Sequence, residues 1–297
     1  MSLITVEQLA ARLDVPRPDV PRPDDPRVRV IDVRWYLLKP GAGRAAYDAG
    51  HIPGARFLDL DADLSAAIGD GRHPLPLPAD FARRLGGFGI GSDEFVVGYD
   101  DSGGTVAARL WWMLDNLGHR GGVAVLDGGL AAWTAAGLPL TSDEPVWPPT
   151  ILELASEWSG VLGRDEVARL LGSVTLLDGR APERYRGEVE PIDPAAGHVP
   201  TALNFPTAGN LASDGRFLPA AELGERFGAL FDSGAPVVNS CGSGTTACHN
   251  ALAMRLAGLP EPMLYVGSFS DWSTAGMPVV DGSEAGSADQ WRESSRE

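Results

Sequence analysis

Cysteine is the side chain whose type and setting here promise covalent chemistry. The chain has two, Cys241 and Cys248. Cys241 opens the run Cys241-Gly242-Ser243-Gly244-Thr245-Thr246, which lies between the apolar pair Val237-Val238 and a helical pattern of Ala247, Ala251, Leu252 and Leu256. Two glycines let the backbone curl tightly with its amides turned inward. The helix that follows adds free N–H groups and a partial positive charge at its start. A thiol in that cradle is expected to stand as thiolate near neutral pH, able to attack and to carry further sulfur. The same donors suit an anionic persulfide. A lone cysteine in a tight turn is usually a packed structural residue, but the order strand, Cys, Gly-x-Gly, helix reverses that expectation.

Two other loop chemistries fail on single positions. A cysteine phosphatase needs an arginine six residues after the cysteine to grip phosphoryl oxygens, and position 247 is Ala. A P-loop needs Gly-Lys-Ser/Thr at the helix start, and the chain's only lysine is Lys39. The two cysteines are seven residues apart, which suits neither a CxxC redox pair nor a zinc site. Cys248 is read as a small packed residue one to two turns into the helix. No metal and no organic cofactor are expected.

The elements that would position such a loop occur twice. Asp32-Val33-Arg34 follows the apolar run 28–31, and Asp178-Gly179-Arg180 follows 174–177. Gly50-His51-Ile52-Pro53-Gly54-Ala55 is matched by Gly197-His198-Val199-Pro200-Thr201-Ala202, and Phe95-Val96-Val97 by Pro236-Val237-Val238. Trp133-Thr134-Ala135-Ala136-Gly137-Leu138-Pro139 closes one half and Trp272-Ser273-Thr274-Ala275-Gly276-Met277-Pro278 the other. The offsets run from 146 and 147 down to 141 and 139 residues, so the chain is a tandem duplication. Short apolar runs alternate with helical spacing, as in Phe95–Tyr99 followed by Val106, Leu110, Met113, Leu114 and Leu117, which predicts an α/β fold with mostly parallel sheets. Chemistry in such sheets gathers at the carboxyl ends of strands. Aligning the two Val-Val strands sets Asp100 opposite Cys241, so the first half carries a carboxylate where the second carries a thiol. His51 and His198 recur in both halves, the thiol-free one included, and are read as structural.

The predicted organisation is a domain over 1–141 without the cysteine, a linker over 142–160 marked by Pro145, Pro148 and Pro149, a catalytic domain over 161–281 and a flexible tail over 282–297. Residues 15–24, which repeat Val-Pro-Arg-Pro-Asp, predict an extended loop. Net charge is −16, from 40 acidic and 24 basic residues. That field opposes nucleic acid and anionic membranes, and arginines that bind a small anion must be placed locally against it. No apolar run approaches the ~18 residues of a membrane span. The start, Met1 to Glu7, lacks a signal-peptide pattern, so the expected location is the cytoplasm.

The run from Cys241 to Cys248 closely resembles the active loop of 3-mercaptopyruvate sulfurtransferases. Together with Gly-His-x-Pro, Trp-x-x-Ala-Gly-x-Pro and Asp100 in place of cysteine, it is similar to the tandem rhodaneses over about residues 28–280. The resemblance implies two rhodanese-like domains, each a five-stranded sheet flanked by helices, with the active site in the second domain and facing the cleft between them. It implies sulfur transfer through a Cys241 persulfide, from 3-mercaptopyruvate or thiosulfate to cyanide, a thiol or a thioredoxin-like acceptor. Gly242, Gly244, Thr245 and Thr246 would shape the loop around the substrate. Arg184 would bind the donor's anionic group, which a guanidinium fork suits. Ser243, His73 and Asp61 would form a proton relay. In mercaptopyruvate enzymes a second arginine follows Glu-Pro; here Ile192 follows Glu190-Pro191, and Arg186 is the expected substitute. Thiosulfate-preferring rhodaneses put basic residues after the cysteine, where this chain has Gly242 and Ser243, so the donor stays open. The competing function is a non-catalytic sensor of sulfide or persulfide.

Overall fold

The computed structural model describes residues 1–13 and 28–288. The expected loop at 15–24 and the tail beyond 288 lie outside the described residues. The chain forms two compact units: residues 1–66, 76–159 and 211–217 make the first, and 67–75, 160–210 and 218–297 the second. Each unit therefore borrows a short segment from the other's stretch of sequence.

The first unit runs β1 (Leu3–Ile4), α1 (Val6–Arg12), β2 (Val28–Asp32), α2 (Ala42–Ala49), β3 (Ala55–Phe57), α3 (Pro78–Gly87), β4 (Phe95–Tyr99), α4 (Ala107–Asn116), β5 (Val123–Leu126) and α5 (Gly129–Ala135). Its strand order is β1-β5-β4-β2-β3. The second runs β6 (Val161–Leu162), α6 (Arg164–Leu170), β7 (Thr175–Asp178), α7 (Pro182–Tyr185), β8 (Leu203–Asn204), α8 (Ala220–Gly228), β9 (Val237–Ser240), α9 (Ala247–Leu256), β10 (Met263–Tyr265) and α10 (Ser268–Thr274). Its order is β6-β10-β9-β7-β8, the same topology. Every strand pairing is parallel, so the sheets are wholly rather than mostly parallel. Helices cover both faces of such sheets, which is why the central strands read as unbroken apolar runs. Val30, Val97, Tyr99 and Trp133 anchor one core, and Leu176, Val238, Tyr265 and Trp272 the other.

The repeated motifs are the staples of this topology. The Trp133 indole N–H donates to the Pro139 carbonyl at 2.9 Å, and Trp272 to Pro278 at 2.7 Å. Gly137 and Gly276 take φ of +70 and +68° just past their helices, the left-handed cap that glycine accommodates best. His51 stacks on Tyr47 and His198 on Tyr185, each pair with ring centroids 3.7 Å apart. Both imidazoles engage backbone carbonyls on each side, Tyr47 and Asp143 in one unit and Tyr185 and Glu284 in the other. That is a structural use of both histidines.

Two boundaries differ from expectation. Within 142–160, Trp147 faces the guanidinium groups of Arg29 and Arg56. Thr150 donates its N–H to the Gly86 carbonyl at 2.8 Å, and Leu152 is buried. The proline-rich segment is therefore a covering strap of the first unit, not a free linker. Likewise 282–288 is packed: the Gly282 N–H reaches the Arg186 carbonyl at 3.0 Å and the Ala285 carbonyl accepts from Thr201 N at 2.6 Å. Prolines and small polar residues limit regular structure, but they do not prevent backbone pairing with a neighbour.

Candidate active site

β9 and β4 are the central strands of their sheets, and the residue after each is the informative one. After β4, Asp100 is fully buried and turns its carboxylate back into its own loop. It accepts the N–H groups of Ser102 and Gly104 at 2.9 and 2.8 Å on one oxygen, and of Val106 and Ala107 at 2.8 and 3.0 Å on the other. The first loop is thus an anion cradle filled by its own side chain.

After β9 the equivalent residue is Cys241, only 1% exposed. By the repeat, the counterparts of the four cradle amides are those of Ser243, Thr245, Ala247 and Cys248, the last of which donates instead to the Thr245 carbonyl at 3.2 Å. Gly244 takes φ +76°, and a Cβ there would lie 2.2 Å from the Val266 carbonyl oxygen, so only glycine fits the curl. Three bonds tie the loop to the start of α10: Cys241 N–H to Ser268 Oγ at 3.1 Å, Phe269 N–H to the Cys241 carbonyl at 3.0 Å, and Ser270 N–H to the Gly242 carbonyl at 2.8 Å. Cys248 is the second residue of α9, nearer its start than expected, and is buried with its thiol donating to the Gly244 carbonyl at 3.4 Å. Thr246 is the residue before α9 and gives no side-chain cap.

His73 comes to this loop on the borrowed 67–75 segment. Gly71 (φ +77°) lies so close to Gly267 that a Cβ would stand 2.5 Å from its carbonyl oxygen, and Arg72 N–H donates to Ser270 Oγ at 3.0 Å. These contacts seat the His73 Nδ1 2.7 Å from Ser243 Oγ and 3.3 Å from Thr245 Oγ1. Asp61 lies in the first unit, where it accepts the Trp35 indole N–H at 2.9 Å.

Arginines gather above the loop. A Cβ on Gly242 would lie 3.3 Å from Arg72 Nη2, 3.5 Å from Arg184 Nη1 and 3.8 Å from Arg180 Cδ. Carboxylates hold each guanidinium from behind. Asp178 takes Arg180 through both oxygens, at 2.7 to 3.1 Å. Glu190 takes Arg184 at 2.7 and 2.8 Å, and Asp193 binds both Arg184, at 3.3 Å, and Arg72, at 2.6 Å. Burial alone would lower the Arg180 pKa, but Asp178 and Glu190 outweigh it and the net shift is upward. Burial likewise raises Glu190, and the Arg184 hydrogen bond with the Asp193 and Ile192 amides reverses it to a net lowering. Arg180 and Glu190 therefore both favour their charged forms. Among the described residues, Nη1 of Arg184 and Nη2 of Arg72 have no protein partner, and both stand beside the residue next to Cys241. Arg186 behaves otherwise: it is half-buried, forms a fork with Glu188 at 2.7 and 2.9 Å, and is not brought to the loop. The second cation is Arg72, which the sequence did not single out. Only its place beside His73 hinted at it, because 121 residues separate it from Asp193.

Two α/β units of one topology, with a thiol in one loop and a carboxylate in its twin, define a duplicated protein with a single cysteine loop set beneath arginines. The Rhodanese-like domain family matches the chain twice, over residues 8–136 and 163–275. The chain is 49% identical over 280 residues to a Pseudomonas aeruginosa protein named "Probable 3-mercaptopyruvate sulfurtransferase", covering 92% of this chain and 95% of that one. It is 36% identical over 253 residues to the thiosulfate sulfurtransferase of Bos taurus, covering 82% and 84%. The crystal structure of SseA from Escherichia coli, described as a 3-mercaptopyruvate sulfotransferase, matches with a TM-score of 0.75 at 30% identity, over 91% of this chain and all of that one. The chain belongs to the rhodanese family of sulfurtransferases. Among the described residues no helix is long and apolar enough to cross a membrane.

Proposed function

We propose that Cys241 carries the transferred sulfur as a persulfide and that 3-mercaptopyruvate is the preferred donor. The twin loop is the observation that carries the first part. An Asp side chain places its Oδ atoms three bonds from Cα, where a cysteine persulfide places its terminal sulfur. The amides on Asp100 thus mark where the repeat offers donors to an anion on Cys241, through Ser243, Thr245 and Ala247.

In the first half-reaction the Cys241 thiolate attacks the donor's sulfur and forms an S–S bond. With mercaptopyruvate the C–S bond breaks, its electron pair leaves as the enolate of pyruvate, and a proton then adds at carbon. With thiosulfate the old S–S bond breaks and its pair leaves with sulfite. In the second half-reaction an acceptor thiolate or cyanide attacks the terminal sulfur and restores the Cys241 thiolate. Arg184 and Arg72 hold the donor's carboxylate or sulfonate end with their free guanidinium edges. The hydrogen bond between Ser243 and His73 supports a relay that moves the proton to the leaving enolate; Asp61 is the third member that the resemblance implies. Such a relay serves mercaptopyruvate and does little for sulfite, which already leaves as a stable anion. Ile192 favours the second reading, thiosulfate as the main donor, because it removes one cation. A comparison of kcat/KM decides: the larger value is expected for 3-mercaptopyruvate, and a larger value for thiosulfate overturns the donor assignment. Thiols, cyanide or a thioredoxin-like protein are the proposed acceptors, in the cytoplasm.

A further inference from the structure

Ser268 is the first residue of α10 and is fully buried. Its φ is +53°, a left-handed conformation that L-residues other than Asn and Asp seldom take. The repeat puts Gly129 at the same place in the first unit, with φ +54°. There a Cβ would stand 2.3 Å from the Asp100 carbonyl oxygen, so that turn has no room for a side chain. The second unit makes room, and fills it with a hydroxyl that donates to the Tyr265 carbonyl at 2.8 Å and accepts the Cys241 N–H at 3.1 Å. The neighbouring tie is common to both units: Phe269 N–H meets the Cys241 carbonyl at 3.0 Å, as Leu130 N–H meets that of Asp100 at 2.9 Å. The serine is thus an addition, made in an unfavourable backbone conformation, in the unit that holds the thiol. Strain of this kind persists where the surrounding structure over-determines it, and it clusters at functional sites.

We infer that Ser268 is a positioning residue for the nucleophile. Its hydroxyl holds the Cys241 N–H away from the cradle, while Phe269 holds the carbonyl, so both peptides flanking the cysteine Cα are fixed. The Cα–Cβ bond, and with it the sulfur, is then aimed at the loop amides before the donor arrives. The inference rests on Cys241 as sulfur carrier and deepens it. Because Ser268 acts on Cys241 itself, its effect is the same for every donor.

Ser268→Gly removes the hydroxyl and the strain together, so the protein should fold with a Tm within about 2 °C of wild type. Its kcat should fall about tenfold with both 3-mercaptopyruvate and thiosulfate, the effect of one neutral buried hydrogen bond. KM should stay within about twofold, because Arg72 and Arg184 are untouched. Ser268→Ala keeps the strained backbone and strips the Cys241 N–H of its partner, so it should lose both Tm and kcat. A Ser268→Gly protein with wild-type kcat, or one altered only in KM, overturns the assignment. So does a kcat loss that simply follows a lowered Tm. If wild-type Cys241 takes up no sulfur at all, the carrier reading fails instead, and the two failures are told apart by the wild-type control.

Discussion

Replacing His73 by alanine removes the imidazole that stands 2.7 Å from Ser243 Oγ and 3.3 Å from Thr245 Oγ1, both on the Cys241 loop. Two effects follow. The first is loss of a buried side chain that helps brace the loop, and it falls on every donor alike. The second is loss of proton transfer to the leaving group, and it falls on mercaptopyruvate. General acid–base help of this kind is worth about 10²-fold or more, roughly 2.7 kcal/mol of barrier. Sulfite needs no proton to leave, so thiosulfate turnover should show only the bracing loss. The ratio of kcat/KM for mercaptopyruvate over thiosulfate cancels the shared damage and isolates the relay. It should drop by about 10²-fold in His73→Ala and by a similar factor in His73→Gln, which keeps bulk and polarity but cannot cycle a proton. Steady-state assays of both donors on the same preparations give the ratio. A ratio equal to wild type would refute the relay and leave His73 as a brace.

Arg184→Lys and Arg72→Ala should each cost roughly 1–3 kcal/mol in kcat/KM, the scale of a charged hydrogen bond; Arg186→Ala should change it little. Wild-type kcat/KM in Arg72→Ala would return Arg72 to a purely structural tie to Asp193. Thr201 sits at φ +70° with its hydroxyl unpaired, where the first unit has Gly54 at +80°. Thr201→Gly should therefore stabilise the protein by about 1 kcal/mol, and a lowered melting temperature would contradict that account of the strain.

Much of this architecture is local in the sequence, and that part was legible. The Asp-x-Arg pairs, the Gly-His-x-Pro turns and the Trp…Pro staples each close within a few residues or one unit, so their repetition gave the duplication, the strand–helix order and Asp100 opposite Cys241. His73 stands 2.7 Å from Ser243 across 170 residues of sequence, a proximity that no local spacing records. The cation set was less legible. Arg184 and Arg186 lie two residues apart, yet α7 ends between them; one guanidinium turns to Glu190 and the loop, the other outward to Glu188. Arg72 meets Asp193 only because residues 67–75 belong to the second unit, and no spacing in the chain records that. The packing of 142–160 and 282–288 is not legible in composition, which reports the lack of regular structure, whereas the hydrogen bonds of Thr150 and Ala285 are made to distant backbone.

The central claim is that sulfur rides on Cys241. Intact-mass and peptide analysis of the protein after brief exposure to 3-mercaptopyruvate, without an acceptor, tests it most directly. One extra sulfur atom is predicted on the peptide bearing Cys241. It should be discharged by cyanide and should not form in Cys241→Ser, which should also fold normally and turn over no donor. Added sulfur on Cys248 alone, or undiminished transfer by Cys241→Ser, would contradict the account.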